Sequence, residues 1–121
     1  MNNVLFSLAE VMSFVVNSKI DVFTDEKIYA ASSKTFEGFT NINYHFEIND
    51  NILNSADSVM TDVFNSMNDT ENKESVLNKF QVNEELMSST NKNTVFMHCL
   101  PAKIGSEVTK GVIKGPKSIV L

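Results

Sequence analysis

The chain has 121 residues, of which 42% are apolar and 21% charged, and its formal net charge is −5. That length fits one domain, able to bury about two thirds of the surface its unfolded form exposes. The acidic balance excludes a basic face for nucleic-acid phosphates or anionic lipid.

A single cysteine cannot form an internal disulfide, and no basic segment with a cleavage site opens the chain. The apolar run over 4–16 is interrupted by Ser7, Glu10 and Ser13 and is too short to span a bilayer. The expectation is a cytoplasmic protein with no nucleic-acid partner and no membrane partner. All ten basic residues are lysines. Without arginine, the chain lacks the rigid bidentate fork that phosphate-handling sites favour.

In chain order, Val4, Leu5, Leu8, Val11, Met12 and Val15 recur at helical spacing and predict a helix from Asn3 to about Asn17, with Asn2 or Asn3 as its cap. A strand follows at 20–23, a helix over 32–39 and a strand at 42–48. A short helical turn is expected near 50–54, a strand over 58–64 ("SVMTDVF"), then the polar loop "NSMNDTENKE". A broken helical segment (74–80 and 83–88) leads to a strand over 94–100, a short helix over 105–112 capped by Ser106, and a last apolar strand over 118–121. Strands alternating with helices predict an α/β fold: a parallel sheet with helices on both faces, a Rossmann-like three-layer domain.

The stretch "FMHCLPA" (96–102) concentrates the reactive groups. Its strand stops at Pro101, which has no N–H to give a ladder. His98 and Cys99 therefore sit at a strand's C-terminal end, the edge where open α/β sheets bind ligands.

Read together, "NNVLFSLAE", "SADSVMTDVFNSM", "QVNEELM" and "VFMHCLPAKIGSEVTKGVIKGPKSIV" resemble, in order and spacing, the C-terminal ornithine-binding domain of ornithine carbamoyltransferases. Residues 23–54 fit only by their element pattern. The resemblance implies transfer of a carbamoyl group from carbamoyl phosphate to the δ-amine of ornithine, giving citrulline, a reaction of arginine metabolism. It implies that Asn3 and Asp62 hold the amino acid's α-carboxylate and α-amino groups. Ser66 and Met67 match a mobile Ser-Met-Gly loop that closes over ornithine. Cys99, the catalytic candidate, and Leu100 match the pair lining the site near the reacting amine and the carbamoyl group. His98 and Pro101 complete that motif. Cys99 is then an orienting residue, with no covalent intermediate implied.

The departures matter equally. Asn68 stands where the loop has glycine, a few residues are missing before Gln81, and Lys103 and Ile104 replace a basic pair. On the resemblance, residues 1–121 form one amino-acid-binding domain, truncated at both ends and lacking its first strand. The carbamoyl-phosphate-binding N-terminal domain and every phosphate-binding arginine are absent.

Simpler readings stand beside these. An isolated cysteine is more often a small buried hydrophobe and an isolated histidine a core residue with a backbone partner. Capping alone would explain Asn3. His45, Glu47 and Asp50 carry the residue types of a metal site, but one histidine with scattered carboxylates is a solvated face. No metal and no cofactor are expected. The expected function is that of a degenerate remnant without catalysis of its own; the alternatives are a module that binds ornithine or a similar amino acid weakly, and a half-enzyme completed in trans by a separate carbamoyl-phosphate-binding domain.

Overall fold

The computed structural model describes residues 3–15, 17–32, 41–64 and 77–120, with the side chains of 3–6, 31 and 32 left out. The chain divides into two compact units, Met1–Ile48 and Asn49–Leu121. Both are α/β, and in each the described strands pair in parallel.

In the first unit α1 (Asn3–Met12) precedes β1 (Ile20–Phe23), α2 (Glu26–Ser32) and β2 (Ile42–His45). β1 and β2 pair in parallel from Ile20↔Ile42 to Phe23↔His45. Tyr44 lies against Tyr29, with ring centroids 4.5 Å apart. One expectation is corrected here. α1 ends at Met12, short of Asn17, because the chain turns at Phe14 and Val15 and Asn17 adopts a left-handed φ of 63°. α2 lies ahead of the helix expected over 32–39. The Asp25 carboxylate accepts the Lys27 N–H at 3.0 Å and its carbonyl accepts that of Tyr29, which starts this helix. Residues 33–39 of the expected helix lie outside the described residues.

The second unit holds α3 (Asp50–Ser55), β3 (Ser58–Thr61), a 3₁₀ turn (Asn78–Phe80), α4 (Glu84–Ser88), β4 (Val95–His98) and α5 (Lys110–Ile113). Asn49 caps α3 and Asn83 caps α4 through their side-chain oxygens. The core gathers Val82, Met87, Phe96, Val108 and Val112, with Val59, Leu86 and Val120 against it. β3 and β4 pair in parallel from Ser58↔Val95 to Thr61↔His98.

The last two expected elements differ. Residues 105–107 form a turn, and the helix begins only at Lys110. Gly105 takes a φ of +93° and Val108 is drawn into a parallel bridge with Val82, so no helix starts at Ser106. The strand at 118–121 is reduced to one bridge, Phe96↔Ser118. That bridge is closed by the Phe96 N–H on the Lys117 carbonyl and the Ile119 N–H on the Phe96 carbonyl, and Leu121, whose N–H the next rung would need, lies outside the described residues. Among the described residues, no helix is long and apolar enough to cross a membrane.

Phe96 is fully buried at the centre of this core. Phe96→Ala is expected to lower stability by about 3–5 kcal/mol, the range for emptying a large aromatic site. Denaturant unfolding of the two proteins measures the difference, and a loss below about 1 kcal/mol would contradict the packing described.

Candidate functional site at the ends of β3 and β4

The register of β3 and β4 builds the site. Thr61 and His98 are paired Cα neighbours, so the residues that follow them, Asp62 and Cys99, leave the sheet side by side at its C-terminal edge. The polar atoms of Asp62, His98 and Cys99 all lie within 4.8 Å of one another. One Asp62 oxygen accepts the Val63 N–H at 2.8 Å, which fixes the carboxylate against its own backbone.

The Cys99 thiol is pushed up to about 11. Burial is the main cause, followed by a hydrogen bond to Asp62 and that residue's charge. At neutral pH the sulfur therefore keeps its proton and donates it to the carboxylate. A protonated thiol is a poor nucleophile, so the group suits an orienting role.

His98 plays a different part. Its side chain and that of Glu107 are both fully buried, with Nε2 2.9 Å from Glu107 Oε1. Nδ1 accepts the Leu100 N–H at 2.9 Å. An Nδ1 that accepts places the ring proton on Nε2, which donates it to Glu107. Glu107 Oε1 also accepts the Lys103 N–H at 2.8 Å. One ring thereby ties the turn after β4 to a carboxylate nine residues further along. The turn itself has Leu100 at a φ of 50° and a cis bond to Pro101. Leu100 is 45% exposed beside an open cleft that Pro101, Ile104, Ile113 and Lys114 also line.

Asp62, Cys99, Leu100, His98 and Pro101 are thus neighbours in space. Asn3 is the first residue of α1, and its side chain is outside the described residues, as are Ser66 and Met67. Sequence reasoning missed Glu107, whose only signal was an acidic residue between Ser106 and Val108 shortly after the His-Cys-Leu-Pro run. The Asp62, His98 and Cys99 trio has metal-ligating residue types, yet both His98 nitrogens are already bonded within the protein and the thiol holds its proton. A cation would have to break those bonds first. His45 pairs with Asp21 at 2.9 Å.

A family model described as "Aspartate/ornithine carbamoyltransferase, Asp/Orn binding domain" matches residues 1–121. The chain belongs to that family. It is 49% identical over 71 residues to the ornithine carbamoyltransferase of Hyperthermus butylicus, an alignment covering 56% of this chain and 23% of that protein. Among solved structures, the ornithine carbamoyltransferase of Burkholderia thailandensis superposes with a TM-score of 0.75 at 31% identity, over 96% of this chain and 37% of that one. That of Pyrococcus furiosus gives 0.73 at 32%, over 98% and 41%. The chain therefore spans about a quarter of such curated relatives by aligned length and about two fifths of the solved chains. The fold agrees with the Rossmann-like α/β architecture of these neighbours.

Alkylation reads the Cys99 assignment directly. The rate with iodoacetamide is expected to be slow at pH 8 and to climb through about pH 11, where half of the thiol is ionised. Asp62→Asn removes the charge and the carboxylate acceptor that raise the value, so its profile should shift to lower pH and its rate at pH 8 should rise several-fold. Superimposable profiles for the two proteins would rule out the Asp62–Cys99 contact.

Proposed function

We propose that this chain forms the amino-acid side of a carbamoyl-transfer site and binds ornithine weakly, without forming citrulline on its own. The observation that carries the reading is the pairing of Asp62 with Cys99 at the ends of adjacent parallel strands, in a chain that belongs to the aspartate/ornithine carbamoyltransferase family.

Charge favours ornithine over aspartate. Asp62 is an anionic partner for an ammonium group, whereas a second substrate carboxylate would call for an arginine, and the chain has none. In this reading Asp62 holds the α-ammonium. The Cys99 thiol orients the δ-amine, which must be neutral to attack, and the carbonyls of the 99–101 turn accept its hydrogens. Leu100 faces the carbamoyl group, and His98 and Pro101 shape the turn.

Phosphate departure needs preorganised cationic donors, commonly the largest single contribution to such catalysis. Ten lysines and no arginine match that need poorly. The phosphate-binding groups would come from a separate carbamoyl-phosphate-binding domain, in which case the product is citrulline and the setting arginine metabolism in the cytoplasm.

Calorimetric titration is the test. Ornithine should bind wild type more tightly than aspartate does, and Asp62→Ala should lose about 2–5 kcal/mol, the cost of removing one partner of a partly buried charge pair. Cys99→Ser keeps a small polar group and should lose far less. Purified wild type should form no citrulline from ornithine and carbamoyl phosphate. Equal ornithine binding by wild type and Asp62→Ala would remove the site assignment. No binding by any of the three would favour a degenerate remnant, and citrulline formation abolished by Asp62→Ala would make the chain an enzyme by itself.

A further inference from the structure

Gln81 lies between the 3₁₀ turn and α4, well away in sequence from Asp62 and Cys99. Its amide nitrogen donates to two backbone carbonyls, Gly105 at 3.1 Å and Ser106 at 3.0 Å. Its amide oxygen faces the Asn83 side-chain nitrogen at 3.4 Å, and Asn83 in turn caps α4 through the Leu86 N–H. Both ends of the Gln81 amide are therefore engaged, and the group spans from a helix cap to the 103–107 turn.

That turn delivers Glu107 into the core. The Val82 N–H donates to the Glu107 carbonyl at 2.9 Å, and the Gly105 N–H to the Val108 carbonyl at 2.8 Å. From there the bonds run toward the site: Glu107 Oε1 to His98 Nε2, and His98 Nδ1 to the Leu100 N–H. Glu107 Oε2 is buried and has no hydrogen-bond partner among the described residues. Its position depends on the backbone of the turn, and Gln81 is the side chain that holds the Gly105 and Ser106 carbonyls of that turn.

We propose that Gln81 is a positioning residue for the Cys99–Leu100 turn, acting through the 103–107 turn, Glu107 and His98. This rests on the reading of Cys99 and Leu100 as site residues. The role is not catalytic, since Gln81 touches neither. Gln81 donates to both carbonyls at once, which an apolar side chain of the same length cannot do. Without those bonds the turn loses a restraint on two successive peptide groups, and the His98 ring loses the fixed carboxylate that sets its tautomer.

The test compares wild type with Gln81→Met, which keeps the length and removes the amide. Two signatures are read on the whole chain: the ¹⁵N shifts of the His98 ring and the alkylation rate of Cys99 at pH 9. The wild-type ring should show a single Nε2–H tautomer. Gln81→Met should move it toward a mixture and raise alkylation several-fold. Gln81→Lys restores a donor within reach of both carbonyls and should recover most of the wild-type signatures. Asn91→Ala is the control, because the Asn91 amide bonds the Asn54 and Ala56 carbonyls at the opposite end of β3 and β4. It should lower Tm without moving either signature. Gln81→Glu, with the same shape and no N–H to donate, replaces Gln81→Met should that variant fail to fold. Unchanged signatures in the folded Gln81 variant, or equal changes in Asn91→Ala, would overturn the proposal. Neither readout uses ornithine, so a failure of ornithine to bind wild type would count against the proposed function alone.

Discussion

The hydrogen bond between His98 and Glu107 is the constraint on which the site depends. Both side chains are fully buried, and a buried charged or polar group without its partner costs far more than the pair contributes when intact. The pair consequently locks two segments together: the end of β4, and the turn that follows Lys103. Because the imidazole spends its other nitrogen on the Leu100 N–H, the lock extends into the backbone beside Cys99. Leu100 sits at a φ of 50°, a conformation that an L-residue adopts only when its surroundings impose it. The His98 bond is one such imposed restraint.

Parallel register does the remaining positioning. With Thr61 opposite His98, the next residue on each strand emerges at the same edge, and the Asp62 carboxylate meets the Cys99 thiol. A slip of one residue would turn every side chain of β4 to the other face and separate the two groups. Phe96, buried on β4 with Val82, Val108 and Val112 around it, holds that register from the core side. Packing of apolar residues thus fixes the site as firmly as its polar bonds do. The protonated thiol follows from the same arrangement, since partial burial and an adjacent carboxylate both disfavour the thiolate.

Much of this was legible in the sequence for a physical reason. β-branched and aromatic residues before Pro101 marked β4, whose residues are buried or half-buried, and the β-branched content of "SVMTDVF" marked β3, which alternates between exposed and half-buried residues. Cys99 followed as a residue at a strand's end, whereas Asp62 came from the family resemblance, since the strand expected there ran on to 64 and β3 ends at Thr61. The errors arose where local hydrogen bonds decide structure. Turn bonds from the Phe14 and Val15 N–H groups closed α1 early, and Gly105 and the Val82–Val108 bridge postponed α5. Glu107 was illegible because a charged residue reads as surface until its partner is known, and its partner is nine residues away in sequence and adjacent only in the fold.

The central claim is that Asp62 and Cys99 together form an amino-acid site. Ligand protection of the thiol tests it most directly, because the ligand and the reagent compete for the same few ångströms. With alkylation of Cys99 followed at pH 9 over a range of ornithine concentrations, the account predicts a saturable slowing in wild type that disappears in Asp62→Ala. An alkylation rate in wild type that does not change with ornithine at any concentration would contradict it.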